Sequence, residues 1–176
     1  MEANKVCVFG GRCHECGRCR TGSSDSRKEG LTVLSEDFLK TLPSGNTPSF
    51  GVAFDIGTTT VVGMLWELSA HKLMRVVSAA NPQADFGQDV ISRINYCIEE
   101  ADGLSTLQGL IVSCLNDLLE QLTVELPLLP VSRITAVGNT TMCHLLLGRD
   151  PVSLARAPYE PAYRGTVPIP AIELGL

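Results

Sequence analysis

Residues 51–68, GVAFDIGTTTVVGMLWEL, decide how the chain is read. Six strand-like residues, Gly51 to Ile56, deliver one acid, Asp55, into apolar surroundings. An acid on a hydrophobic strand is costly unless it is paired or holds a cation. Gly57 permits a sharp turn and close backbone approach to a ligand. Thr58, Thr59 and Thr60 then set hydroxyls and backbone N–H groups beside the acid. That combination suits phosphate oxygens on one side and a hydrated Mg²⁺ on the other. A plain hairpin with ordinary strand threonines is the competing reading of the short motif.

Downstream, the pattern is compact α/β. The second strand covers about 60–68, a turn follows at Ser69-Ala70-His71, and a third strand runs over about 73–80, giving an antiparallel meander. Residues 81–85 form a loop. Residues 87–100 read as a helix with Val90, Ile91, Ile94, Cys97 and Ile98 on one face, and with Asp89 and Arg93 as a stabilising pair four residues apart. A longer helix over about 104–124 buries Leu107, Ile111, Cys114, Leu115, Leu118 and Leu122, and Pro127 and Pro130 end it. A strand at 133–137 leads through Gly138, Asn139, Thr140 and Thr141 into a short helix at 142–147 that Gly148 can cap. Polar residues at the carboxyl end of such a strand lie where open α/β sheets bind ligands. Alternatively, Thr140 or Thr141 serves only as the helix cap. Cys97, Cys114 and Cys143 read as core residues, His144 as packed or partly exposed, and His71 as solvent-facing.

The N-terminal stretch has a different character. CVFGGRCHECGRCR places Cys7, Cys13, Cys16 and Cys19 at spacings C-x5-C-x2-C-x2-C. Four thiolates suffice for an iron–sulfur cluster or a structural zinc. Gly10, Gly11 and Gly17 allow the backbone to wrap such a centre, and the run is similar to the Gly-rich cysteine loop of ferredoxins. His14 could replace a thiolate, which would favour zinc. A remnant that binds nothing is the third reading. Residues 1–24 thus form a Cys-rich segment and 25–49 a polar linker containing one short helix at 31–42. The α/β region starts near residue 50.

Composition narrows the function classes. A formal charge of −5 and a pI near 5.2 argue against nucleic-acid or membrane-surface binding. No apolar run is long enough to span a bilayer, and the first residues lack a signal-peptide core. A cytoplasmic protein is expected, where seven cysteines would be unusual as disulfides.

The meander with D-x-G-T-T-T on its first hairpin resembles the actin, chaperone and sugar-kinase ATPase superfamily. The runs VAFDIGTTTVVGML, NPQADFGQDVISRI, AVGNTTMCHLLLGRDP and RAPYEP, in that order, are similar to the middle region of the reductive activators of corrinoid proteins. The resemblance covers about residues 50–176. It implies an RNase H-like, actin-like ATPase subdomain preceded by an iron–sulfur segment. It also implies ATP-driven reduction of an inactive Co(II) corrinoid protein to the Co(I) state that accepts methyl groups. Carried over, Asp55 positions Mg²⁺ through water, and Gly57, Thr58, Thr59 and Thr60 meet the nucleotide phosphates. Gly138, Asn139 and Thr140 lie near the cleft, and Cys7, Cys13, Cys16 and Cys19 hold the metal centre. The implied partners are a corrinoid protein with its methyltransferase, an electron donor, and a second copy of the chain.

The superfamily needs a second phosphate loop and an adenosine pocket, and neither motif occurs before Leu176. A fragment that binds nucleotide weakly or not at all on its own, and does not catalyse, is therefore expected. Two rival classes remain: a phosphotransferase of the sugar- or acetate-kinase type, and a non-catalytic metal-binding interaction module.

Overall fold

The computed structural model describes residues 49–124 and 131–176. The cysteine segment, the expected helix at 31–42, and Pro127 and Pro130 lie outside the described residues.

Alternation of apolar and small or polar side chains sets the sheet. Strands β1 (Phe50–Ile56), β2 (Thr60–Glu67) and β3 (Lys72–Ala80) form the expected antiparallel meander. Strand β4 (Val131–Gly138) joins β1 in parallel, giving the order β3-β2-β1-β4. This is the mixed α/β arrangement, a three-stranded antiparallel meander with helices and a further parallel strand, that the resemblance implies. Successive side chains on a strand point to opposite faces. Phe50, Val52, Phe54 and Ile56 of β1 and Val61 and Leu65 of β2 are therefore buried on one face, while Ala53 and Asp55 lie on the other, half-buried.

Helix α1 spans Val90–Glu99 and helix α2 spans Gly103–Thr123. The six residues expected to face inward from α2 are all buried, because their spacing keeps them on one stripe of a 3.6-residue helix. Gly63 makes room for this packing. A Cβ there would stand 3.1 Å from both Leu122 Cδ1 and Phe54 Cε1. Helix α3 (Thr140–Leu146) adds Met142, Leu145 and Leu146 to the same core, and a last turn, α4, covers Ala171–Leu174. No helix among the described residues is long and apolar enough to cross a membrane.

Four local expectations need correction. Helix α1 begins at Val90 rather than at residue 87, since Asp89 caps it by accepting from the backbone N–H of Ser92 at 2.9 Å. Residues 82–85 are one turn of 3₁₀ helix, closed when the Asn81 side chain accepts from the Gln83 N–H. The inward face of α1 is also rotated from the expected one. Ile91 and Ile98 are exposed, while Arg93 and Ile94 are buried. Asp89 and Arg93 do not form a surface pair, because the guanidinium turns inward to other acceptors.

Candidate phosphate-binding site

Asp55 sits mid-sheet at the carboxyl end of β1, flanked in register by Val62 on β2 and Val137 on β4. It is half-buried on the face away from α2, and among the described residues its carboxylate has no hydrogen-bonded or ionic partner. A half-buried acid between two valines, left unpaired, is a feature that a cation would explain.

The chain turns at once after β1. Gly57 N–H donates to the Thr60 carbonyl at 3.0 Å, and that carbonyl crosses so close that a Cβ on residue 57 would meet it at 2.6 Å. Glycine is needed here for the sharp turn that the sequence suggested, because the chain itself approaches this closely. Behind the turn, other groups take up the remaining carbonyls. Asn81 Nδ2 donates to Gly57 O at 2.8 Å, Arg93 Nη2 donates to Thr58 O, and the Asn81 backbone N–H donates to Thr59 O at 2.8 Å. In a trans peptide the N–H points opposite to the C=O. Holding the Gly57 and Thr58 carbonyls inward therefore turns the N–H groups of Thr58 and Thr59 outward. Neither N–H has a partner among the described residues, and Thr59 is exposed. Consecutive outward N–H groups make a concavity suited to an anion.

The second loop converges on the first. Gly138 ends β4 opposite Ile56, and a Cβ there would lie 2.8 Å from the Ile56 carbonyl. Asn139, rather than either threonine, caps α3: its Oδ1 accepts from Met142 N–H at 2.9 Å. Its Nδ2 donates to Thr58 Oγ1 at 3.3 Å, which ties the two loops together. Thr140 is exposed at the first turn, whereas Thr141 is buried. Asp55, Gly57, Thr58, Thr59, Thr60, Gly138, Asn139 and Thr140 are thus gathered at the carboxyl ends of two adjacent parallel strands.

Comparison with known proteins bears on this arrangement. The family described as RACo middle region matches residues 50–176. The chain belongs to that family. The corrinoid activation enzyme RamQ of Eubacterium limosum is 37% identical over 133 residues, covering 73% of this chain and 22% of that enzyme. A solved structure, the reductive activator for corrinoid, iron-sulfur protein, shares 40% identity with a TM-score of 0.68. That match covers 76% of this chain and 22% of the activator. The chain therefore spans about a fifth of the length of these two relatives.

Within this RACo middle region, the residues that sequence reading missed are Asn81, Gln83 and Arg93, all buried. The available signal was the helical period: Arg93 falls on the stripe of Val90, Ile94 and Cys97, where a cation must find acceptors. Among the described residues, no group of three or more His, Cys, Asp or Glu side chains could hold a metal ion. His144 is not a ligand. Its Nδ1 lies 2.7 Å from Thr140 O, so it carries the proton, and Nε2 accepts from Ala162 N–H at 3.1 Å. His71 is exposed in its turn, as expected. Cys97, Cys114 and Cys143 are free thiols, and burial raises all three above the ordinary thiol range.

Proposed function

We propose that this chain is part of an ATP-dependent reductive activator of corrinoid proteins, and that residues 50–176 form the lobe that meets the nucleotide phosphates. The observation that carries this reading is the pair of open N–H groups at Thr58 and Thr59 beside the unpartnered Asp55. The donor set fits a magnesium-bound phosphate, which needs N–H donors for its oxygens and one carboxylate for the hydrated ion. The names of the two relatives, a corrinoid activation enzyme and a reductive activator for a corrinoid, iron-sulfur protein, support the choice of substrate.

In this reading Asp55 orients Mg²⁺ through water. Gly57 and Thr58–Thr60 receive phosphate oxygens, and Gly138, Asn139 and Thr140 border the cleft. Residues 1–24, with Cys7, Cys13, Cys16 and Cys19, hold an iron–sulfur cluster, with zinc as the alternative, and residues 25–49 tether that segment. A bound cluster supplies single-electron transfer; the chain's own residues bind and orient the nucleotide. Reduction of Co(II) to Co(I) takes one electron from a donor and is unfavourable for ordinary reductants. ATP binding or hydrolysis supplies the driving force by favouring one of two arrangements of the lobes. The partners are a cytoplasmic corrinoid protein with its methyltransferase, an electron donor and a second copy of the protein.

The test uses the intact protein with a chemical reductant and a Co(II) corrinoid protein, following Co(I) by its visible absorbance. Co(I) should accumulate only with Mg-ATP, and Asp55→Ala should remove that dependence. Equal accumulation without ATP would overturn the reading.

A further inference from the structure

Arg93 is fully buried, yet among the described residues no carboxylate pairs with its guanidinium. Four neutral acceptors surround it. Nε donates to Gly87 O at 2.9 Å, Nη1 to Gln83 Oε1 and to Met142 Sδ, each at 3.1 Å, and Nη2 to Thr58 O. Burial lowers its affinity for a proton, and Asp89, capping the same helix, acts in the opposite direction. Arginine nevertheless stays charged in proteins. The fold thus places a buried positive charge, to which no carboxylate among the described residues is hydrogen-bonded, immediately behind the Gly57–Thr60 turn. A buried, unpaired charge is costly. An anion in front of the turn would add to the attraction that Asp89 supplies.

The fold provides for this side chain in detail. Gly87 lies so close to the first turn of α1 that a Cβ there would stand 2.7 Å from Arg93 N. Gln83, which holds Nη1, is itself fixed by its Nε2 donating to Leu107 O on α2 at 2.8 Å. Met142, the other Nη1 contact, is the residue whose N–H is capped by Asn139. The guanidinium therefore connects the turn after β1, the turn before α1 and the start of α3.

We propose that Arg93 is a positioning residue for the phosphate site: it holds the Thr58 carbonyl inward, so that the Thr59 N–H faces a bound phosphate, and lends that site its charge. The inference rests on the phosphate reading above. It assigns separate duties to two side chains. Asn81 orients the Thr58 N–H through Gly57 O, and Arg93 orients the Thr59 N–H through Thr58 O.

The experiment titrates the intact protein with the magnesium complex of a non-hydrolysable ATP analogue (AMP-PNP) and measures affinity and the amide ¹H–¹⁵N shifts of Thr58 and Thr59. In the wild type both amides should move on binding. Arg93→Lys keeps the charge but offers one compact ammonium in place of a planar fork. It should weaken binding about ten- to a hundredfold, as expected for losing one hydrogen bond to a charged group. The Thr59 response should vanish while that of Thr58 persists, a selectivity that general destabilisation would not produce. Arg93→Gln, which removes the charge, should weaken binding further. Unchanged affinity in Arg93→Lys, or equal loss of both amide responses, overturns the role of Arg93 and leaves the phosphate reading intact. No response of either amide in the wild type overturns both.

Discussion

Asn81 is the residue through which the turn after β1 can be tested without touching any group that faces a ligand. Its side chain is almost wholly buried. Its Nδ2 donates to Gly57 O at 2.8 Å and its Oδ1 accepts from Gln83 N–H at 3.0 Å. Asn81→Ala leaves both of these backbone groups without a partner. Each such buried group costs about 1–3 kcal/mol. The expected loss is therefore roughly 2–6 kcal/mol, a large share of the 5–15 kcal/mol typical of a whole domain. Asn81→Asp keeps the acceptor but sets a carboxylate against the Gly57 carbonyl, so it should cost at least as much. Urea unfolding of the 176-residue chain, followed by the fluorescence of its single tryptophan, Trp66 on β2, reads the change. The midpoint should fall while the slope with urea stays the same. A loss below about 1 kcal/mol would show that the turn does not depend on these bonds, and the outward set of the Thr58 N–H would lose its explanation.

Other perturbations follow from the same packing. Leu118 on α2 is completely buried, so Leu118→Ala should cost about 2–5 kcal/mol in the same urea assay; a cost under 1 kcal/mol would mean that the helix is not packed on the sheet. Gly63→Ala forces a methyl to within 3.1 Å of Leu122 and Phe54, and should cost about 1–3 kcal/mol through strain. Tyr163 stacks on His144 with ring centroids 4.7 Å apart, and its hydroxyl is pushed up to about 12, by burial first and then by Cys143. A group raised in the folded state stabilises fully below its unfolded value and loses that contribution as pH climbs through the folded value. The stability difference between wild type and Tyr163→Phe should thus be constant below pH 10 and shrink between 10 and 12; a constant difference across that range would contradict the packing.

How much of this was legible in the sequence varies by element. Helix α2 could be read almost residue for residue, because burial of Leu107 through Leu122 depends only on a local period. The meander and the parallel strand were legible for the same reason, since alternation and turn residues are near neighbours in sequence. The polar run at Gly138 and Asn139 was legible as a strand end where ligands bind, and its placement at the same cleft as the turn after β1 came from the family resemblance. What sits behind that turn was not. Arg93 reaches Thr58 across 35 residues and Met142 across 49, so its partners could not be inferred from its own helix. The i,i+4 spacing with Asp89 offered a local partner, and a local rule was preferred to an unseen tertiary one. Asn139 displaced the threonines as the cap because its side chain can accept from Met142 while donating to Thr58. Thr140 and Thr141 are the first two residues inside the helix, past the capping position that Asn139 occupies.

The most direct test of the account is the magnesium dependence of ATP affinity in the intact protein, wild type against Asp55→Asn. Asp55 has no partner among the described residues, so exchanging its carboxylate for an amide should leave the urea midpoint unchanged or raise it. ATP should bind the wild type more tightly with Mg²⁺ than without, and that difference should disappear in the variant. A variant that keeps the full magnesium effect, or one that unfolds, would contradict the assignment of Asp55 to the metal.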